Sequence, residues 1–333
     1  MYNSGMIRLR PLPVAVLLLA PLAGAQETDR PGQTRVARWK DDMKAAFLLM
    51  FDDSVPSHVK NAVPELKKRG LVGTFYVNPG SGHYKAFKDA WEKEIPAAGM
   101  AYGNHTMTHA GAHDTNHFDE QLRGCSETIL RLFPDPKGPR LLSYGRPGVK
   151  KEDWRITGAE EKQLLEKHRL IERPDIGRRL AGINLKTADD LVKVVDKALA
   201  DGSLDLVLFH GVGGDWLSMP LPDFITLLDT LDGKKDRIWV TDALSAHKYE
   251  TERTTAEARV AEAGERKIRL TLSSKSDPSL YDLPLTLVTR VPAPWKRCQV
   301  TQGTDKAVVP AVEGSIRYSA RPGADEILIQ PAP

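Results

Sequence analysis

The segment that most constrains the fold is an unbroken apolar run that ends in two aspartates. Residues 45–51 read Ala-Ala-Phe-Leu-Leu-Met-Phe, and Asp52 and Asp53 follow directly. A strand with one solvated face alternates apolar and polar residues, whereas a strand of a parallel sheet is covered on both faces and is apolar throughout. The run therefore predicts a central strand of a parallel sheet, with both carboxylates at its carboxyl end.

Strand-like and helix-like patterns alternate between residues 47 and 241. Parallel strands need crossover connections, which are usually helical, so this order is typical of β/α construction. We expect a distorted (β/α) barrel in which chemistry gathers at the carboxyl ends of the strands. The predicted strands cover residues 47–51, 73–77, 101–104, 140–144, 204–209 and 237–241, and the predicted helices cover residues 59–69, 86–98, 118–133, 188–200 and 224–231.

The two ends of the chain differ from this alternating region. Residues 1–25 contain two arginines, a short apolar stretch and a final Ala-Gly-Ala, which is the pattern of a secretory signal peptide. Residues 255–333 contain short strand patterns divided by Gly, Pro and Asp turns, which predicts a small all-β domain. We expect a catalytic domain over residues 26–250, a helical connection over residues 250–264, and a periplasmic or secreted product with no membrane span after signal removal.

Charge and cysteine content narrow the functional class. There are 47 Lys and Arg residues against 44 Asp and Glu residues, and the basic residues are scattered, so no nucleic-acid-binding surface is predicted. Two cysteines, Cys125 and Cys298, exclude a cysteine-rich zinc site. They could form a disulfide in an oxidising compartment or remain separate thiols. The sequence leaves the oligomeric state open.

Two histidines supply candidate metal ligands. His105 and His109 are four residues apart, and this spacing would place both imidazoles on one side of a helical turn, close enough to share one cation. A carboxylate from a distant strand end would complete the site. The alternative is a chance pair of surface histidines. The aspartate pair favours a metal, because two adjacent buried carboxylates are costly unless a cation or a proton offsets them.

At these positions the sequence resembles the polysaccharide deacetylases of the NodB-homology type, which form carbohydrate esterase family 4. The resemblance covers residues 40 to 250 and depends on an ordered set of motifs. These are Phe51-Asp52-Asp53, Asn104-His105-Thr106-Met107-Thr108-His109, Arg146-Pro147-Gly148 and Leu208-Phe209-His210. The resemblance implies a hydrolase that removes acetyl groups from an acetylated polysaccharide or oligosaccharide.

The resemblance also assigns roles to individual residues. Asp53, His105 and His109 would bind a divalent metal, and neutral imidazoles with one carboxylate suit Zn²⁺. Asp52 would be the general base, kept ionised by the metal and, if its guanidinium reaches, by Arg146.

Three further residues are predicted to complete the site. His210 would be the acid that protonates the departing amine. Trp216 could stack on a sugar at the cleft wall or pack beneath the loop that follows His210. Asp175 is a candidate to orient His210.

The sequence departs from the family pattern at two places. Ser54 stands where the family usually has Gly, and the third motif is shortened around Arg146.

Several functions remain open at the level of sequence. The leading hypothesis is removal of N-acetyl groups from an amino-sugar polymer. The same ligand set would serve an O-acetyl polysaccharide esterase or the hydrolysis of a non-sugar amide, because activated water can attack all of these bonds. A carbohydrate-binding protein with an inactive barrel is the alternative outside the enzymes. In the β domain, Trp295 could be a sugar platform or a packing residue.

Overall fold

The computed structural model describes residues 30–133, 140–323 and 325–333. The predicted signal peptide, residues 1–25, lies outside the described residues. Within the described part of the chain, no helix is both long and apolar enough to cross a membrane.

The chain forms two groups of strands, one within residues 45–241 and one that combines residues 34–36 with residues 257–331. The strands are β1 (Thr34–Val36), β2 (Ala45–Asp52), β3 (Thr74–Val77), β4 (Ala101–Asn104), β5 (Leu142–Tyr144), β6 (Leu170–Glu172), β7 (Leu204–Phe209), β8 (Ile238–Thr241), β9 (Glu257–Ala263), β10 (Ile268–Ser273), β11 (Leu285–Arg290), β12 (Arg297–Gln302), β13 (Asp305–Pro310), β14 (Ser315–Ala320) and β15 (Ile327–Pro331).

The helices lie among the first eight strands and directly after them. They are α1 (Val63–Lys68), α2 (Gly82–Ala86), α3 (Ile95–Ala97), α4 (Thr115–Leu132), α5 (Gly158–Lys167), α6 (Ala188–Asp201), α7 (Leu221–Asp232) and α8 (Ala243–Thr255). Short 3₁₀ or π turns cover Lys40–Asp42, His58–Ala62, Ala90–Glu94 and Lys151–Asp153.

The first group of strands forms a parallel sheet in the order β6-β5-β4-β3-β2-β7, with β8 also paired to β2. All eight residues of β2 are buried, as the apolar run predicts. Beyond β7, residues 179–181 lie parallel to it, with a hydrogen bond from the Ala181 N–H to the Leu208 carbonyl. The sheet thus curls into the predicted distorted (β/α) barrel, and the ends of β2, β4 and β7 meet on one side.

Helix α6 illustrates why the crossovers form where they do. Its start is a capping box, in which the Thr187 hydroxyl accepts from the Asp190 N–H and the Asp190 carboxylate accepts from the Thr187 N–H. Its apolar residues Leu191, Val194, Val195 and Ala198 are buried against the sheet region. Gly202 ends the helix with φ 63°, a left-handed value that glycine adopts without strain.

The second group of strands forms two antiparallel sheets around a separate core. One has the order β13-β12-β15-β10-β9 and the other β1-β11-β14. The N-terminal strand β1 therefore pairs with β11, far along the sequence. The predicted helical connection over residues 250–264 is wrong in its second half, because α8 ends at Thr255 and β9 begins at Glu257.

Two open alternatives are decided by burial. Trp295 is 6% exposed and its indole N–H donates to the Glu265 carbonyl at 3.1 Å, so it is a packing residue and not a sugar platform. Cys125 and Cys298 are both buried and free, so they do not form a disulfide.

Candidate metal centre and active site

Asp52 and Asp53 reach the same site because the backbone turns between them. Side chains alternate between the two faces of a strand, so consecutive residues would normally point apart. β2 ends at Asp52, and Asp53 and Ser54 have φ values of 77° and 53°, which breaks the alternation. As a result, Asp52 Oδ2 and Asp53 Oδ1 lie 3.7 Å and 3.3 Å from the same atom, Nε2 of His105.

His105 and His109 converge on Asp53 from a loop. The prediction of a helical turn is wrong, because Thr106 and His109 have φ values of 65° and 60°. The Nε2 atom of each histidine nevertheless lies 3.3 Å from Asp53 Oδ1. That oxygen is buried and has no hydrogen-bond partner among the described residues. The left-handed residues fold the loop back, so both imidazoles face one carboxylate.

The protonation of His105 shows that this arrangement requires a positive charge. Its Nδ1 lies 2.7 Å from the Gly145 carbonyl oxygen, which can only accept, so Nδ1 carries the proton in the neutral ring. Nε2 then presents a lone pair to Asp53 Oδ1 at 3.3 Å. Two lone pairs at that distance repel unless a cation or a second proton lies between them. Burial lowers the pKa of His105, but the carboxylates of Asp52 and Asp53 outweigh burial and raise it.

A divalent metal fits these residues. One ligand atom from each of Asp53, His105 and His109 lies within 4.8 Å of the other two. Two imidazole nitrogens and one carboxylate oxygen are a donor set that zinc accepts, and a site with three protein ligands leaves coordination positions open. The hydrogen bond from His105 to the Gly145 carbonyl is the kind of outer contact that orients a metal-binding imidazole.

Asp52 is held as a carboxylate by Arg173. The guanidinium donates two hydrogen bonds, at 2.6 Å to Oδ1 and 3.0 Å to Oδ2, and it lies over the Tyr76 ring at 4.7 Å. Burial alone would raise the pKa of Asp52, but Arg173 and His105 lower it. Asp52 is therefore ionised and adjacent to the three candidate ligands.

The structure places Arg146 away from Asp52. Its half-exposed side chain lies over the Trp154 ring at 3.8 Å and pairs with Glu161 at 3.4 Å. The contact expected of Arg146 is made by Arg173 instead. Arg173 directly follows β6, which is four strands away from β2 in the sheet. It can reach Asp52 at the end of β2 because the sheet curves. Gly145 leaves room for it, since an added Cβ there would lie 3.0 Å from the guanidinium carbon.

Arg173 could have been found from the sequence by one signal. Like Arg146, it precedes a proline and follows a strand. The strand, β6, is three residues long and is not among the predicted strands, so the sequence does not predict that its end forms part of the site.

His210 follows β7 and lies beside the candidate ligands. Its Nε2 is 3.6 Å from Asp53 Oδ2, and burial lowers its pKa despite the nearby carboxylates of Asp52 and Asp53. Its Nδ1 has no hydrogen-bond partner among the described residues. Asp175 accepts a hydrogen bond from the Gly177 N–H, so the structure does not bring it to His210 as the orienting residue.

Trp216 lies at the rim of the site and is not packed beneath its loop. The side chain is 56% exposed. Its indole N–H donates to Asp53 Oδ2 at 3.2 Å, and its ring meets the His210 ring edge to face at 4.7 Å. The indole therefore contacts both a candidate ligand and the candidate acid while more than half of the side chain stays open to solvent.

His58 is a residue whose setting the sequence did not reveal. A polar context suggests a solvated side chain, but His58 is 0% exposed and lies among the rings of Phe51, Phe75 and Trp91. Burial lowers its pKa to about 4, so the ring is neutral near pH 7. Its Nε2 lies 2.5 Å from the backbone oxygen of His210, which ties the candidate acid to the apolar core.

Residues 40–146 match a family model described as polysaccharide deacetylase. This match confirms the resemblance proposed from the motifs. The matched segment contains both aspartates and both histidines of the candidate metal centre, whereas Arg173 and His210 lie beyond it.

Among curated proteins, the chain is similar to a gellan lyase from a Bacillus species. The two are 24% identical over 336 aligned residues, which cover 91% of this chain. The alignment covers 13% of that protein, so this chain spans a small part of the length of its curated relative.

Solved structures that are similar to this chain include three from carbohydrate esterase family 4 or its relatives. A family 4 carbohydrate esterase from Streptomyces lividans is 21% identical with a TM-score of 0.43, over 59% of this chain and 92% of that one. A polysaccharide deacetylase from Bacillus cereus is 16% identical with a TM-score of 0.41, over 60% and 91%. A family 4 pseudoenzyme from Bacillus anthracis is 14% identical with a TM-score of 0.42, over 61% and 65%.

Proposed function

We propose that this protein is an exported, metal-dependent hydrolase that removes acetyl groups from a carbohydrate, with the N-acetyl groups of an amino-sugar polymer as its substrate. One observation carries the proposal. Asp53 Oδ1 lies 3.3 Å from two imidazole nitrogens, while the neighbouring Asp52 is ion-paired and remains available as a base. The match of residues 40–146 to the polysaccharide deacetylase model supports the reaction class.

The metal and the base have separate residues in this proposal. Asp53, His105 and His109 would hold Zn²⁺, which supplies Lewis acidity toward the acyl oxygen and lowers the pKa of a water molecule. Asp52 takes the proton from the attacking water. The ion pair with Arg173 keeps Asp52 deprotonated before attack, because it lowers the pKa of a carboxyl group that burial would otherwise raise.

His210 would deliver the proton to the leaving group. It must be in its imidazolium form to do so, and burial, which lowers the pKa of His210, makes that form a stronger acid but less populated at neutral pH. Trp216 meets the His210 ring edge to face and is more than half exposed, so an acetylated sugar could stack on its indole above the site.

The N-terminal sequence supports export. The charged, apolar and small-residue segments of residues 1–25 follow the order of a secretory signal. A polymeric carbohydrate outside the cytoplasm would be a substrate accessible to such a protein. Cell fractionation with an antibody against the β domain would test this part of the proposal, and retention in the cytoplasm would contradict it.

Acetate release tests the reaction directly. We expect turnover on acetylated chitin oligomers or peptidoglycan, loss of turnover on chelation, and recovery when Zn²⁺ is returned. Asp52→Asn should lower kcat by about 10²- to 10⁴-fold, the usual contribution of a general base, while Zn²⁺ affinity changes little. Asp205→Asn is the matched control, because Asp205 forms a similar two-bond pair with Arg179 outside the site.

Each contrary result points to a different alternative. Turnover confined to acetyl-xylan would identify an O-acetyl esterase. Glycan binding without acetate release from any substrate would identify a carbohydrate-binding protein with an inactive barrel. Activity that is indifferent to chelator would remove the metal from the proposal, and unchanged turnover in the Asp52 variant would remove the assigned base.

A further inference from the structure

Asn78 joins the two segments that carry the candidate metal ligands. It follows β3 and is 1% exposed. Its side-chain amide donates to the backbone oxygens of His105 and Thr106 at 2.5 Å and 3.2 Å, and its backbone N–H donates to Ser54 Oγ at 3.0 Å. One buried residue therefore connects the turn after Asp53 with the loop of residues 105–109, here called the histidine loop.

The histidine loop needs such support because its backbone is strained. Thr106 and His109 have φ values of 65° and 60°, which side chains with a Cβ rarely adopt. A strained conformation of this kind persists only where its surroundings determine it. Contacts from the segment after β3 supply part of that constraint: besides the amide of Asn78, the Gly80 N–H donates to the Met107 carbonyl at 2.7 Å.

A second set of contacts holds the loop that begins with His210. The half-buried Asn61 donates from its side-chain amide to the Val212 carbonyl at 2.7 Å, and the Val212 N–H donates to Ser57 Oγ at 3.1 Å. Asn61 thus makes the same type of bond as Asn78, from an amide to a loop carbonyl. It does so on the loop of the candidate acid, so the two asparagines form a natural matched pair.

We infer that Asn78 is a positioning residue for metal binding, which fixes His105 and His109 relative to Asp53 before the ion arrives. The inference rests on the metal site of the proposed function. Asn78→Asp preserves the shape of the side chain but replaces its donor with an acceptor that faces two carbonyl oxygens. Loss of an outer contact that orients metal ligands lowers metal affinity by about 10- to 100-fold.

The test measures Zn²⁺ affinity and not turnover. Wild-type protein, Asn78→Asp, Asn78→Ala and Asn61→Asp are titrated with Zn²⁺ in competition with a chromophoric chelator. Circular dichroism establishes that each variant is folded, and thermal melts of the metal-free proteins measure stability. We expect both Asn78 variants to bind Zn²⁺ about 10- to 100-fold more weakly, and Asn61→Asp to stay within about threefold of wild type.

The possible failures are distinguishable. If wild-type protein has no measurable Zn²⁺ affinity, the metal site of the proposed function is overturned, and the role of Asn78 is overturned with it. If wild type binds Zn²⁺ and the Asn78 variants bind equally well, only the role of Asn78 is overturned. Equal losses of affinity in the Asn61 and Asn78 variants would also overturn it, because the effect would then be a general consequence of disturbing a loop.

Discussion

Replacing Arg173 should destabilise the protein more than the loss of an ordinary ion pair. The pair with Asp52 is nearly enclosed, with 13% of the arginine side chain and 4% of the aspartate side chain exposed. Arg173→Met keeps much of the side-chain length over the Tyr76 ring but leaves the carboxylate buried without its partner. A buried carboxylate without a partner either takes up a proton or stays charged and destabilises the folded state.

The magnitude follows from the geometry. Two hydrogen bonds join the guanidinium to the carboxylate, at 2.6 Å and 3.0 Å. Hydrogen bonds to charged groups contribute about 1.5–3 kcal/mol each, so the pair amounts to about 3–6 kcal/mol. Removal of one partner of a buried ion pair costs about 3–5 kcal/mol, which agrees. We therefore expect Arg173→Met to lower the free energy of unfolding by about 3–5 kcal/mol at neutral pH.

Urea denaturation of a double-mutant cycle is the assay. The proteins are wild type, Arg173→Met, Asp52→Asn and the double variant, all in chelator so that metal binding does not contribute. The double variant should be more stable than Arg173→Met, since no unpaired carboxylate remains. Because the pKa of Asp52 is lowered in the folded protein, the coupling should be full above about pH 5 and decline as the pH falls.

The pair of Arg179 and Asp205 provides the control cycle. It also has two hydrogen bonds, at 2.7 Å and 2.9 Å, but its side chains are 27% and 12% exposed. Solvent screening should make its coupling smaller. A coupling at Arg173 and Asp52 below about 1 kcal/mol, or one no larger than in the control pair, would refute the reasoning from burial.

Three further predictions concern stability and loop geometry. Burial raises the pKa of Glu252 to about 7, so the folded state favours the protonated carboxyl. In urea melts the free energy of unfolding should therefore fall by about 1–3 kcal/mol from pH 5 to pH 8. Glu252→Gln should flatten this dependence on pH, and an unchanged dependence would contradict the assignment. Gly103→Ala should cost about 1–3 kcal/mol in the same melts, because its Cβ would lie 2.4 Å from the Tyr76 ring; wild-type stability would show that the ring can move. Gly211→Ala would place a Cβ 2.1 Å from the Gly214 carbonyl oxygen and so distort the loop that follows His210. The kcat for acetate release should then fall by about 10²-fold while Zn²⁺ affinity is unchanged. An unchanged kcat would show that the shape of this loop is not needed for turnover.

The part of the fold that the sequence predicts best is the part with continuous patterns. The apolar run of β2 and the alternation of strands with helices predict a parallel sheet, and the rule that chemistry gathers at strand ends predicts where the aspartates and histidines meet. The short strand β6 escapes this reasoning, because three residues carry too little pattern to distinguish a strand from a loop. Arg173 follows β6 directly, so its place in the site is not predicted either, although it lies 2.6 Å from Asp52 Oδ1.

Long-range pairing and backbone strain are the features that local patterns could not predict. β1 is three residues long and belongs with β11 only because the folded chain brings the two together. The spacing of His105 and His109 predicts a helical turn, whereas the structure has a loop there. Its left-handed residues, Thr106 and His109, carry a Cβ and therefore signal such a conformation far more weakly than glycine does.

Ser54 shows how contacts can replace a residue that the backbone conformation favours. At φ 53° a glycine would be unstrained, and Gly is the residue that the family usually has after the aspartate pair. For a residue with a Cβ, this conformation destabilises the folded state by about 1–2 kcal/mol. The Ser54 hydroxyl is buried and accepts a hydrogen bond from the Asn78 N–H at 3.0 Å. A hydrogen bond of this kind stabilises the folded state by about 0.5–1.5 kcal/mol. The two terms nearly cancel, so serine preserves the turn that brings Asp53 to the histidines while it also ties that turn to the histidine loop.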